Sequence, residues 1–244
     1  MIIIIDNQEV QVSYGDTILD AAQRAKIHIP TLCHHQAFAG QGRCRLCLVE
    51  VTEQGRKRIV ASCTYPITRE ITVCTSTPRI EKMRKNLVMF LYKQAPASKL
   101  LQSMYRDYEC QDNSLPENAG EKCMLCNLCV LACEEMGSSA ISLIMRGTEK
   151  KVATPYNEAS LDCLGCGACA AICPTQAIEL TERDGYRTIW NKEFKLVNCQ
   201  NCGQPYATQE QLAYIESRGP DNEMLHCCLS CRQKMTAQKI KIFT

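Results

Sequence analysis

Residues 163–174 read CLGCGACAAICP, four cysteines at C-x2-C-x2-C-x3-C closed by a proline. Upstream, KCMLCNLCVLACEE at 122–135 repeats the spacing with Cys123, Cys126, Cys129 and Cys133. A loop of this spacing wraps a cubane, so that three thiolates reach three irons while backbone amides hydrogen-bond the sulfurs. The fourth cysteine starts a helix and points away from the loop. In two-cluster chains with this motif it ligates the other cluster. The pattern therefore sends Cys173 to Cys123, Cys126 and Cys129 on one [4Fe–4S] cluster, and Cys133 to Cys163, Cys166 and Cys169 on the other. Pro174 fits the usual ending, and Glu134 in its place in the first quartet removes no ligand. Paired C-x2-C also binds zinc, but eight cysteines in two such quartets exceed what tetrahedral zinc needs.

The totals agree with metal sites. The 244 residues leave room for two or three domains, and 28 Lys+Arg against 26 Asp+Glu give a net charge of +2. That balance lacks the basic excess of a nucleic-acid binder, so no nucleic acid is expected. The cysteine count of 19 is odd, and the cysteines sit in tight triplets. A secreted disulfide scaffold is usually short and follows a signal peptide. Here MIIIID reaches a charge too early for a signal h-region, and no stretch approaches the roughly 20 apolar residues of a membrane helix. Metal sites in a reducing cytoplasm, with no direct membrane insertion, are the better reading.

An α+β organisation follows from the patterning. Ile2–Ile5 and Glu9–Ser13 are strand candidates around an Asp6-Asn7 turn. Asp16 is placed to cap a helix over Thr17–Ala25, and strands are expected at Leu46–Val51 and Arg58–Ala61. Strand, strand, helix, strands suits a β-grasp over residues 1–76. Thr77-Pro78 opens a helix with an apolar stripe of Ile80, Met83, Leu87 and Leu91. Arg79, Lys82, Arg84, Lys85 and Lys93 then read as a solvated basic face in preference to a dock for an acidic partner. With the connector that follows, this segment is 77–120; the duplicated quartets occupy 121–185, with a surface loop or hairpin between them; a cysteine-knuckle lobe fills 186–244.

Cys33, Cys44 and Cys47 stand at C-x10-C-x2-C, with Cys63 after a further gap. Plant-type [2Fe–2S] ferredoxins use C-x4-C-x2-C…C, so the first gap is long. Gly40, Gly42 and Arg43 supply a flexible loop in which small residues let amides approach sulfur. His34 and His35 adjoin Cys33, but the C-x-H pairs of a Rieske site are absent, so they read as neighbours of the site or surface residues.

These stretches together (IPTLCHHQAFAGQGRCRLCLVEV, VASC, KCMLCNLC and CLGCGACAAICPTQAI) resemble the iron–sulfur electron-transfer module at the N-terminus of the large iron–sulfur subunit of complex I and of NAD-linked hydrogenases and formate dehydrogenases. The resemblance implies a [2Fe–2S] ferredoxin-like β-grasp domain with Cys33, Cys44, Cys47 and Cys63 as ligands, then a bacterial-type two-[4Fe–4S] ferredoxin-like domain. Many relatives carry a further cluster at H-x3-C-x2-C-x5-C; ASKLLQSMYRDYECQDN here offers only Cys110, so that cluster is expected to be missing and Cys74 and Cys110 to be free thiols.

In the last lobe, Cys199 and Cys202 pair with Cys228 and Cys231 as two C-x2-C knuckles, with His226 and Cys227 as possible substitutes for Cys228. One structural zinc is the favoured reading and a third [4Fe–4S] cluster the alternative; the tail weakly resembles that of some hydrogenase and formate hydrogenlyase subunits. The chain has no G-x-G-x-x-G or P-loop and no catalytic constellation. The expected role is therefore a relay of single electrons in a cytoplasmic hetero-oligomer. One partner would be a flavin- and NAD(P)-binding diaphorase-like subunit; the other would be a hydrogenase- or formate-dehydrogenase-like catalytic subunit. The alternatives are a free-standing multi-cluster ferredoxin-like carrier and, from another class, a cluster-based sensor.

Overall fold

A computed structural model describes residues 1–111, 114–219 and 224–241, with the side chains of 239–241 left aside. The chain divides into two compact units: Met1–Leu131 with Cys173–Ala177, and Ala132–Ile172 with Ile178–Thr244.

In the first unit, β1 (Ile2–Ile5) and β2 (Gln8–Gln11) form a hairpin whose two-residue turn, Asp6-Asn7, has both φ angles positive. Such turns match strand twist and select Asn, Asp and Gly. Helix α1 (Ile18–Arg24) follows, then β3 (Leu48–Glu53), β4 (Arg56–Ala61) and β5 (Thr72–Cys74). The five strands lie in the order β2-β1-β5-β3-β4, with β1 and β5 parallel. This is the β-grasp arrangement expected. Alternation along β1 sends Ile3 and Ile5 into a core with Val10, Leu19, Val49, Val51 and Val73. Thr17, not Asp16, caps α1: its side chain accepts from the Asp20 amide, and the Asp20 carboxylate accepts from the Thr17 amide. Asp16 instead takes the Ser13 amide and the Arg24 guanidinium, since it stands one residue too early to reach the helix.

Helix α2 (Pro78–Gln94) starts at Thr77-Pro78 as expected, with Ile80 and Val88 buried and Met83 and Leu87 packed against the β-grasp core. The solvated basic face holds only in part. Arg79, Lys82 and Lys85 are exposed, but Arg84 and Lys93 are buried. Arg84 donates to the carbonyls of Leu46, Leu48 and Thr75 at 2.8–3.0 Å and pairs with Glu81, tying α2 to β3 and the end of β5. Lys93 reaches Glu117 at 2.9 Å. The expected connector contains a helix, α3 (Lys99–Asp107), capped by Ser98 and packed on α2. Helix α4 (Leu128–Glu135) carries Cys129 and Cys133 one turn apart.

In the second unit, the insertion is a short hairpin of β6 (Ser142–Ile144) and β7 (Lys151–Ala153). Helix α5 (Ala168–Ala171) follows the second cysteine loop. Strands β8 (Leu180–Arg183), β9 (Tyr186–Ile189), β10 (Lys192–Asn198) and β11 (Pro205–Thr208) form an antiparallel sheet in the order β11-β10-β9-β8. The turns Asp184-Gly185 and Trp190-Asn191 each join adjacent strands through two residues of positive φ. Helices α6 (Gln209–Glu216) and α7 (Leu229–Lys241) complete the lobe.

Arg84 gives the first test. Replacement by Met strands three buried carbonyls, each costing about 1–3 kcal/mol when left unpaired, so Arg84→Met is expected to lose at least about 3 kcal/mol. Lys82→Met on the exposed face should stay within about 0.5 kcal/mol. Chemical denaturation of the two variants side by side measures the difference.

Candidate metal centres

The N-terminal quartet is fully buried: Cys33, Cys44, Cys47 and Cys63 are each at most 3 % exposed. The sulfurs fall into two pairs. Cys47 and Cys63 stand 3.4 Å apart, and Cys33 is bonded by the Cys44 side chain and, at 3.3 Å, by the Cys44 amide. Within each pair one thiol is drawn down to about 6 by its neighbour's hydrogen bond, Cys33 by Cys44 and Cys47 by Cys63, while the partner is pushed up. Two pairs of thiolates fit a two-iron cluster, which takes two from the protein on each iron. Gly40 is required here, because a Cβ would meet the Cys63 carbonyl oxygen at 1.8 Å. His34, beside Cys33, has both ring nitrogens shielded from solvent and unpartnered; His35 is exposed.

The two central loops repeat one backbone shape. Leu125 and Asn127 have φ of 57° and 75°, and the matching Gly165 and Gly167 have 63° and 77°. Alternating left-handed residues turn successive amides inward, the concavity that binds negatively charged sulfur. Leu125 N donates to Cys123 Sγ at 3.4 Å. Gly165 cannot be larger, since a Cβ would lie 2.5 Å from the Phe194 ring.

The chain's division into units follows the crossed pattern. Cys173 falls with Cys123, Cys126 and Cys129, and Cys133 falls with Cys163, Cys166 and Cys169. The second set lines one cavity together with Ala140, Gly165 and Trp190. Ala140 N and Ala177 N donate to Cys133 Sγ and Cys173 Sγ at 3.2 and 3.3 Å, equivalent bonds in the two halves. Burial pushes Cys126 and Cys169 up to about 11, and Cys123 and Cys163 upward as well. Cys173 adds to the push on Cys123 and Cys126, and Cys133 to that on Cys163 and Cys169. Thiols so placed ionise together only around a cationic centre. Within the first unit, Cys33 also contributes to the rise at Cys126, which brings the N-terminal quartet into electrostatic reach of the first central one.

Around the second loop stand residues that cysteine spacing could not reveal. Trp190 Nε1 points at Cys169 Sγ from 3.5 Å. Lys192 Nζ donates to the carbonyls of Ser160 and Cys163 at 3.1 and 3.2 Å, and Arg187 to that of Gly165 at 2.7 Å. The one available signal was the lone Trp, set in a two-residue turn that suits smaller residues.

In the C-terminal lobe, Cys199, Cys202, Cys228 and Cys231 place their sulfurs within 4.8 Å of one another, the one such group among the described residues. The set can hold a single metal ion. Cys228 N bonds Cys199 Sγ at 3.2 Å, and this bond, first among several, draws Cys199 down to about 6. Asn201 donates to Cys231 Sγ. Cys227 is buried beside Cys199 without joining the group, and His226 faces Glu216. Of the other two thiols outside every set, Cys110 is buried and bonded to the Lys85 carbonyl, and Cys74 is half-buried in β5.

Residues 2–78 match the family of 2Fe-2S iron-sulfur cluster binding domains, and residues 119–180 match a 4Fe-4S dicluster domain. The chain carries iron–sulfur domains of both kinds. A second 4Fe-4S dicluster family matches 162–208. The chain resembles a subunit of the NADH-quinone oxidoreductase of Rhizobium meliloti, at 27 % identity over 82 % of this chain and 26 % of that protein. It also resembles the HndD subunit of the NADP-reducing hydrogenase of Solidesulfovibrio fructosivorans, at 30 % identity over 72 % and 35 %. The crystal structure of an NAD+-reducing [NiFe]-hydrogenase in the H2-reduced state shares the fold with a TM-score of 0.55 and 25 % identity, over 63 % of this chain and 74 % of that one. The chain thus spans about a third or less of the length of these two curated relatives. Among the described residues, no helix is long and apolar enough to cross a membrane.

Two tests follow. Metal capture by the C-terminal set requires thiolates, so its affinity should fall as pH falls and more steeply below about 6, where Cys199 also takes a proton. Competition with a chromophoric chelator across pH 5–8 reads this out. Gly165→Ala combines an unfavourable φ with a clash, so roughly 1–3 kcal/mol of stability should be lost, against about 1 for Gly55→Ala, which has open space.

Proposed function

We propose that this chain is the iron–sulfur relay of an oxidoreductase complex. Cys33, Cys44, Cys47 and Cys63 hold a [2Fe–2S] cluster. Cys123, Cys126, Cys129 and Cys173 hold one [4Fe–4S] cluster, and Cys133, Cys163, Cys166 and Cys169 hold the other. Such clusters, when bound, take up and release single electrons at potentials set by their surroundings. The chain's residues bury the thiolates, aim amides at the sulfurs and exclude water. The observation that supports the reading is the partition of the chain, in which each fourth cysteine falls in the same compact unit as the opposite loop. The functional segments are 1–76, 77–120, 121–185 and 186–244.

The C-terminal ion is zinc. Tetrahedral zinc with Zn–S bonds near 2.3 Å sets its thiolates about 3.8 Å apart. Cys202 Sγ and Cys228 Sγ stand 3.8 Å apart, and the whole set fits within 4.8 Å. A cubane puts its own width between the thiolates and needs a wider ring, although the dicluster match through residue 208 is what the third-cluster alternative would produce. Zinc here ties the strand end at Cys199 to the start of α7 and fixes a lobe that buries little core of its own.

The partners are a flavin- and NAD(P)-binding diaphorase-like subunit and a hydrogenase-like or formate-dehydrogenase-like catalytic subunit, in the cytoplasm. Support comes from the relatives, whose names place them in NADH-quinone oxidoreductase, an NADP-reducing hydrogenase and an NAD+-reducing hydrogenase. A free-standing carrier would purify alone; the relay reading expects fixed stoichiometric partners.

Cys173→Ser tests the ligation. It should disturb the cluster on Cys123, Cys126 and Cys129 and leave the other [4Fe–4S] signal intact in electron paramagnetic resonance. Loss of the Cys163-loop signal instead would sink the crossed assignment. In the purified complex, clusters that stay oxidised after the electron donor is added would end the relay reading.

A further inference from the structure

We propose that the two central sites are built for unequal reduction potentials, the Cys133–Cys163–Cys166–Cys169 site being the higher, and that Trp190 is the residue that raises it. The inference rests on the reading that both quartets hold [4Fe–4S] clusters.

Trp190 occupies the first centre of the two-residue turn between β9 and β10, with a φ of 53°. Turns of this type take Asn, Asp or Gly, because a left-handed backbone strains bulky side chains. The neighbouring turn of the same sheet uses Asp184-Gly185 in the ordinary way. An indole in a strained position calls for a local reason, and strain of this sort gathers at functional sites. The reason on view is that this backbone carries Nε1 to 3.5 Å from Cys169 Sγ. The ring also joins the lining of the cavity that the four cysteines share.

A second feature acts the same way. Lys192, two residues on, places its ammonium on the carbonyls of Ser160 and Cys163 and over the Phe194 ring, 4.8 Å from its centre. A positive charge thus sits on the second loop at its first ligand. Beside the first ligand of the other site stands a carboxylate instead: Glu121 Oε1 accepts from the amides of Lys122 and Cys123 at 2.8 and 2.7 Å.

Reduction adds one electron to a cluster and makes no bond. A hydrogen bond to a ligating sulfur and a nearby cation favour the more negative state, and a nearby carboxylate disfavours it. All three features therefore push the two potentials apart in one direction. An N–H bond to a charged acceptor is worth about tenfold in an equilibrium, and tenfold is 59 mV for a one-electron couple.

The test is an anaerobic redox titration of the cluster-loaded chain, with dithionite as the one-electron reductant and electron paramagnetic resonance as the readout. Two [4Fe–4S] couples should separate. Trp190→Phe should lower the higher couple about tenfold in its reduction equilibrium, 59 mV, and leave the lower couple and the [2Fe–2S] couple in place. Glu121→Gln, which keeps the accepting oxygen and removes the charge, should raise the lower couple alone. The inference is overturned if Trp190→Phe moves neither couple, moves the lower one, or shifts all three together. Should Trp190→Phe fail to load its clusters, an unmoved lower couple in Glu121→Gln overturns it instead. Fewer than two [4Fe–4S] signals in the unaltered chain would fail the cluster assignment itself, an outcome distinct from two clusters titrating in the wrong order.

Discussion

Four thiolates confined in a water-poor space repel one another, and burial further disfavours each charge, so a set of this kind is stable only around a cation. Most of the chain's architecture answers that constraint. In the central quartets burial pushes Cys126 and Cys169 to about 11, which leaves an empty site neutral and a filled one tightly coupled to its metal. Amides aimed at the sulfurs, from Leu125, Ala140 and Ala177, supply partial positive charge at positions that the backbone fixes. The left-handed residues of both loops serve the same purpose.

The scaffolds around the sites differ. The N-terminal quartet hangs on a β-grasp whose core is continuous from Ile3 to Val73, with Asp6 bonded to Thr75 to close the sheet and Arg84 gathering three carbonyls under α2. The second central loop leans on a sheet that the first lacks. Phe194 fills the space above Gly165, Arg187 holds the Gly165 carbonyl, and Thr208 bonds the Leu164 carbonyl. The four-cysteine group closes the far end of the same lobe. Its spacing suits one ion, the four sulfurs lying within 4.8 Å of one another.

Cysteine spacing was legible because cluster ligation leaves few freedoms: the C-x2-C-x2-C-x3-C loops, the C-x10-C-x2-C run and the paired knuckles each read directly as a site. Strand β1, the opening of α2 and the hairpin between the quartets were also visible, from an apolar run beside a turn signal, from capping and from insertion. Helix α3 was not, because Pro96, Pro116 and Gly120 frame it as a connector and its stabilising contact is tertiary, on α2. Strand β5 has three residues, too few for a period. Arg84 was misjudged because pattern reading places charge in water, while a guanidinium can be buried when its donors meet carbonyls. Trp190 and Lys192 act on the second loop from β9–β10, and no local rule connects them to it. The Asp184-Gly185 pair, a hairpin dipeptide, was the signal left unread for the sheet that holds both.

Iron, acid-labile sulfide and zinc per chain in anaerobically purified protein test the central claim most directly. Clusters of two, four and four irons with a single-ion knuckle give about 10 irons and about one zinc. About 14 irons without zinc would contradict the single-ion reading of the C-terminal lobe. About 6 irons would contradict the paired [4Fe–4S] sites on which the relay depends.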